Sequence, residues 1–259
     1  MNLMIKEIRE FAAQGATFVV SHSGGKDSQA LLLHIAQLVP VEQIAVIHVD
    51  MKGFEWAGTE AHMRQTAMQC GIPADRIFVR SAAKSIEDKV RDRGMFPGMQ
   101  QRWCTSDLKR DVINKFIRNL TPKTSGQGLV ISCSGERRQE SEDRSKLKAL
   151  EVNKRAGAEF RKVWTLRPIL DLREDQVRDN IRRANQQLHW AYGAGMKRLS
   201  CCFCIFGSDS DFAIAAKHNP QLLTRLAKLE REVGHTIKMP EKGGRLFLDE
   251  RFPQFLVAA

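Results

Sequence analysis

Near its start the chain reads Ala16-Thr17-Phe18-Val19-Val20-Ser21-His22-Ser23-Gly24-Gly25-Lys26-Asp27-Ser28-Gln29-Ala30-Leu31-Leu32-Leu33. An apolar β-branched run, a pair of glycines with a lysine, and an apolar run with helical spacing follow one another. They predict a buried strand, a tight turn and a helix from Ser28 to about Leu38. That order makes an anion site. Glycines let the backbone approach a phosphate, and the free N–H groups of a helix N-terminus point at it. Lys26 adds a positive charge, and Ser23 and Ser28 add hydroxyl donors. The candidate nucleotide-binding set is Ser21, Ser23, Gly24, Gly25, Lys26, Asp27 and Ser28.

The spacing excludes a Walker A loop, which needs four residues between its first glycine and Gly-Lys-Ser/Thr. Working outward, a helix is predicted over residues 3–14, a second strand over Gln43–Val49 ending at Asp50, and a helix over Glu60–Cys70. Arg76–Arg80 reads as a third strand, Ser106 to about Leu120 as a helix, and Leu129–Cys133 as a fourth strand. Strands alternating with helices imply an α/β fold, a Rossmann-like parallel sheet flanked by helices. In such sheets ligands sit beyond the carboxyl ends of the strands. The glycine loop, Asp50 and the segment from Gly135 to Arg144 all fall there. Arginine forks suit phosphate, so Arg137 and Arg144 are candidates to steady it. Asp27 and Asp50 are candidates to hold Mg²⁺ or a ribose.

After residue 160 the character changes: an extended segment Val163–Leu172, a basic helix from Glu174 to about Leu188, and two helices split by Asn219-Pro220. A division into a nucleotide-binding domain, 1–160, and a mostly helical region carrying a cysteine cluster, 161–259, follows. The strip Arg173, Arg178, Arg182, Arg183, Lys197 and Arg198 reads either as a phosphate contact or as a solvated face with i,i+4 pairs.

Among 259 residues the formal net charge is +11, which favours an anionic partner: nucleotide, nucleic acid or both. There is no run long and apolar enough to span a membrane and no secretory signal pattern, so a cytoplasmic setting is expected. In that setting six cysteines do not suggest a disulfide framework. Cys201-Cys202-Phe203-Cys204 instead points to a metal, an iron–sulfur cluster or redox chemistry, with Cys104 in its arginine-flanked loop as a further ligand. Three ligands, Cys104, Cys201 and Cys204, would leave one iron of a 4Fe-4S cluster open; Cys202 is the undecided fourth, and zinc is the rival metal. Cys70 and Cys133 read as packing residues.

Ser23-Gly-Gly-Lys-Asp-Ser28 resembles the PP-loop of the ATP pyrophosphatase superfamily, whose members cut ATP between the α- and β-phosphates. Together with Arg102-Trp-Cys-Thr-Ser-Asp-Leu-Lys109, Gly135-x-Arg137-x-x-Glu140-Ser141-x-x-Arg144, Pro168-Ile-Leu-Asp171 and Cys201-x-x-Cys204, it resembles the phosphoadenosine phosphosulfate reductase-like branch, from Ser21 to about Thr236. The resemblance implies an adenine nucleotide alpha hydrolase-like fold. Two features differ from sulfonucleotide reductases: no cysteine follows Cys204, and Cys104 stands alone where cluster-type reductases have a Cys-Cys pair. Arg-Trp-Cys-Thr with Leu-Lys is more similar to PP-loop proteins of DNA phosphorothioation systems and prophage relatives, which resemble tRNA thiolation enzymes in plan.

By that resemblance the chain is an ATP-dependent sulfur-transfer enzyme. It would adenylate a nucleic-acid oxygen on DNA or tRNA and replace it with sulfur from a cysteine desulfurase. Lys26, Asp27, Arg137 and Arg144 are the implied catalytic residues, Asp50 and Gly135 join the nucleotide set, and Cys104, Cys201, Cys202 and Cys204 are the metal set. The implied cofactors are ATP, Mg²⁺ and a 4Fe-4S cluster, with a homo-oligomer as an option. The alternatives are a sulfonucleotide reductase using another thiol, and a non-catalytic nucleotide- and cluster-binding partner subunit.

Overall fold

In the computed structural model, residues 2–120, 128–238 and 244–257 are described. The connector expected at Pro122–Gly128 lies outside them except for Gly128. Strand β1 (Thr17–Ser21) is central. It pairs in parallel with β2 (Ile44–Val49) on one side and β4 (Gly128–Cys133) on the other. β3 (Ile77–Arg80) extends the β2 side, and β6 (Arg161–Leu166) extends the β4 side, both in parallel. A short β5 (Leu150–Val152) closes the far edge antiparallel to β6, giving the order β3-β2-β1-β4-β6-β5.

The alternation of side chains explains why both faces need cover. Phe18, Val20, Ile44 and Val46 point to one face, where they pack with Ile8 of α1 (Asn2–Ala13), Leu31, Leu32 and Ile35 of α2 (Lys26–Ala36), and Met63 of α3 (Thr59–Gln69). Val19, Ala45, Ile47 and Val130 point to the other, against Phe116 and Ile117 of the helix Asp111–Leu120. Every residue of β2 is buried, as a parallel strand covered on both faces must be.

Several expectations are corrected. Val163–Leu172 is extended in its first part, as expected, but that part belongs to β6, hydrogen-bonded along β4 in the same sheet as the glycine loop. The boundary expected at 160 therefore falls within one sheet. The chain instead forms two discontinuous compact units, Met1–Val49 with Gly58–Arg80 and Val112–His189, and Asp50–Ala57 with Ser81–Asp111 and Trp190–Ala259. The basic helix ends at Arg183, five residues early, because Asn185 turns left-handed (φ 54°) and Gln186 N–H returns to Ile181 O.

The second unit is helical among its described residues. Helix α4 (Ile86–Arg93) is capped by Ser85 and Asp88, which bond each other's backbone N–H. A short turn, Trp103–Thr105, runs into a π-helical turn at Ser106–Arg110. The helices Asp209–His218 and Pro220–Val233 follow, the first capped by Ser208 and the second stopped by left-handed Gly234. Glu230, inside the second, is 1% exposed and accepts the backbone N–H groups of Ile237 and Leu248. Burial raises its carboxyl to about 7.

Candidate nucleotide and thiol sites

The strand order runs outward in opposite directions from β1 and β4, so the crevice beyond their carboxyl ends is the switch point of the sheet. The loop after β1 and the segment after β4 both start there. Gly24 adopts a left-handed conformation (φ 78°), which turns the chain into α2. Lys26, the first residue of α2, is 3% exposed and donates to Asp27 Oδ2 at 3.0 Å. Arg137, also buried, donates from Nε to Asp27 Oδ1 at 2.6 Å. One carboxylate is thus shared by two cations at a helix N-terminus. The trio keeps an excess positive charge, and Asp27 holds both cations in place.

Gly135 explains how the β4 segment reaches this turn. A Cβ there would stand 3.0 Å from the Asp27 carbonyl oxygen and 3.2 Å from Ser28 N, so the two backbones touch in a way that admits only glycine. Arg137 N–H donates to Glu140 Oε2, and Glu140 pairs with Arg144. Arg144 is therefore tied to Glu140 one step out from the Lys26–Asp27–Arg137 trio. Ser28 Oγ donates to Gly25 O at 2.8 Å and accepts from Ser23 N–H at 3.1 Å, so these serines brace the loop itself. Ser21 ends β1 opposite Ile47. Asp50, the residue after β2, belongs to the second unit, where its Oδ1 accepts the N–H of Lys52 at 2.8 Å.

His22 is the residue that motif reading passes over. It is fully enclosed, and its Nδ1 accepts the N–H of Gly24 at 3.0 Å. Thr66 Oγ1 gives its hydrogen to the carbonyls of its own helix, so it receives His22 Nε2–H at 3.3 Å. This fixes a neutral imidazole with Nδ1 unprotonated. Burial, aided by His48 and His62, lowers the His22 pKa to about 3. A polar residue between a buried strand and a glycine turn is the signal that could have found it.

In the second unit, Cys104, Cys201 and Cys204 are half-buried and lie within one another's electrostatic reach. Lys109 Nζ stands 3.5 Å from Cys201 Sγ. Burial pushes the Cys104 and Cys201 thiols up; Lys109 pulls both the other way, and its own pKa is raised, foremost by Cys201. Cys202 is set apart. It is buried, its N–H donates to Phe54 O at 2.8 Å, and its thiol, raised by burial, has Cys201 and Glu55 as neighbours. Among the described residues no group of three or more His, Cys, Asp or Glu side chains is arranged to hold a metal ion. Half of the positive strip is neutralised by neighbouring carboxylates: Arg173 pairs with Asp175, Arg178 with Glu174, and Arg182 with Asp179.

A sequence profile of the phosphoadenosine phosphosulfate reductase domain matches residues 17–206, which span both the glycine loop and the cysteine group. The chain belongs to this family. The phosphoadenylyl-sulfate reductase of Candida auris, solved as a phosphate complex, shares the fold of this reductase-family protein: the TM-score is 0.50 over 76% of this chain and 87% of that one, at 14% identity. An FMN adenylyltransferase from Candida glabrata, solved with FAD and inorganic pyrophosphate, aligns over 77% of this chain and 62% of its own at 13% identity and a TM-score of 0.48. An uncharacterized 37.8 kDa protein of Escherichia phage 186 is 28% identical over 64% of this chain and 51% of its own length. The chain thus spans about half the length of that curated relative. No described helix is long and apolar enough to cross a membrane.

Proposed function

We propose that this reductase-family protein is an ATP-dependent sulfurtransferase acting on nucleic acid. The observation that carries the reading is the pairing of two kinds of site in one chain: a two-cation phosphate loop and a lysine-assisted group of thiols. ATP with Mg²⁺ supplies an activated adenylyl group. The loop N–H groups, Lys26 and Arg137 hold its phosphates, and Arg144 is reserved for the departing pyrophosphate or the acceptor phosphate. Asp50 is assigned to the ribose or the metal ion.

Sulfur arrives from a cysteine desulfurase as a persulfide on Cys201. The terminal persulfide sulfur attacks the substrate atom that bears the adenylated oxygen; the bond to that oxygen breaks, AMP leaves carrying it, and the substrate sulfur is left in a disulfide with Cys201. The Cys204 thiolate then attacks Cys201, releasing the thiolated nucleic acid and leaving a Cys201–Cys204 disulfide for a dithiol reductant. Lys109 steadies the thiolates, and Cys104 is the reserve thiol. A 4Fe-4S cluster or zinc on Cys104, Cys201, Cys202 and Cys204 rests on the cysteine spacing alone, and no step above uses it.

The test supplies ATP, a desulfurase with radiolabelled cysteine, a dithiol, and either tRNA or DNA. AMP and pyrophosphate formed only with nucleic acid, and label found in that nucleic acid, are the expected results. Sulfite released from a sulfonucleotide, with no AMP from ATP, would replace the reading by a reductase. ATP bound but never split would replace it by a non-catalytic partner subunit.

A further inference from the structure

We propose that an arginine-lined cleft in the second unit docks a single strand of nucleic acid. The inference rests on the nucleic-acid reading above and gives it a surface. The cleft has a volume of about 540 Å³, and its walls include Arg93, Arg102, Trp103, Thr105, Asp107 and Arg110. Its charge is unbalanced. Asp107, the acidic residue of that wall, is already shared between Lys89 and Arg93. Arg102 and Arg110 are exposed, and neither has a carboxylate partner among the described residues. The contrast with Arg173, Arg178 and Arg182, each held by a neighbouring carboxylate, is direct. Guanidinium groups without a carboxylate partner on such a wall are placed for phosphates.

Beside these residues, one ring–guanidinium pair with an exposed ring favours a single strand. The Arg102 guanidinium lies 4.8 Å from the centroid of Phe206, a ring 41% exposed although its neighbours Cys202 and Phe203 are buried. Arg93 lies 5.4 Å from the buried ring of Trp103. An exposed ring carrying a guanidinium plane suits an unstacked base, and a duplex keeps its bases stacked. Cys104 sits in the chain between two residues of the wall, Trp103 and Thr105. A strand in the cleft would pass along the segment that carries Cys104, the reserve thiol of the proposed chemistry.

The experiment is fluorescence anisotropy with a labelled oligothymidylate, the full chain and a salt series. Arg102→Glu with Arg110→Glu should weaken binding at least tenfold and flatten the salt slope by about 0.7 for each phosphate left without its cation. Phe206→Ala should weaken it about fivefold or more with the slope kept, since stacking is not a counterion effect. Arg182→Glu should stay within twofold, and unlabelled duplex should compete poorly. Unchanged binding in the double variant, or equal competition by duplex, overturns the cleft while the sulfurtransferase reading stands on its own AMP assay. A wild-type chain that binds no oligonucleotide or tRNA overturns both.

Discussion

Lys26 donates to the carboxylate next to it in the chain, whereas Lys109 reaches a thiol 92 positions away. The phosphate loop is a local construction. Strand, glycines and helix start set it, and its remote partners, Arg137 and Gly135, enter from the neighbouring strand of the same sheet. The thiol group is a tertiary construction. Cys104 and Lys109 come from one segment and Cys201 and Cys204 from another, with no strand ladder among the described residues to register them. Damage to packing in the second unit should therefore scatter the thiols and spare the loop.

The strongest test of that contrast is a pair of substitutions. Lys26→Ala should lower ATP turnover by about 10² or more, the cost of losing one preorganised charge, with the unfolding transition little changed. Cys201→Ser should abolish sulfur transfer and leave ATP affinity within about twofold. Calorimetric titration with ATP beside the label-transfer assay reads both, and a Cys201→Ser chain that no longer binds ATP would break the division.

Two glycines sharpen it further. A methyl at Gly135 meets the backbone of Asp27 at 3.0 Å, and one at Gly207 meets Cys204 O at 3.0 Å and the Phe212 ring at 3.1 Å. Each alanine substitution should cost about 1–3 kcal/mol in denaturant unfolding, because rigid atoms oppose the added carbon. Gly135→Ala should weaken ATP binding, and Gly207→Ala should change the alkylation rates of Cys201 and Cys204. If both variants disturb both readouts equally, the sites are not separable.

The last prediction, read as a slope against pH, concerns His22. Its pKa is about 6.5 when unfolded and about 3 when folded, so the unfolded chain binds the proton more readily. The stabilisation is fully present above pH 6.5 and is lost as pH falls toward 3, by at most about 1.4 kcal/mol per pH unit. His22→Asn keeps an acceptor for the Gly24 N–H but cannot titrate. Urea unfolding at pH 7, 6 and 5 should give a flatter slope for the variant, and an unchanged slope would remove His22 as the titrating group.

The two regions also differ in how legible they are in the sequence. β1, the loop and α2 are contiguous, and their period changes at the glycines, so residue order alone places them. Gly135 and Arg137 follow because a parallel sheet brings strand ends together. Lys109 stands out only as one letter of a motif, since nothing in its spacing to Cys201 marks a contact. β5 is three residues long and α4 is largely charged, too little pattern for either to stand out. The boundary expected at 160 follows a change of composition, but β6 makes its hydrogen bonds with β4, and composition carries no record of pairing.

The π-helical turn at Ser106–Arg110 has one more consequence. Residues five apart on an α-helix are rotated by about 140° around its axis, on nearly opposite sides. A turn closed by i→i+5 bonds returns the fifth residue to the starting side. Cys104 and Lys109 are five apart, and Lys109 acts on both Cys104 and Cys201. The surplus residue thus works as a phase shifter. Deleting one position from that turn would swing Cys104 away by about 100° relative to Lys109 while leaving every side chain of the group in the sequence. Relatives that lack that residue would keep the cysteine and the lysine and lose the angle between them.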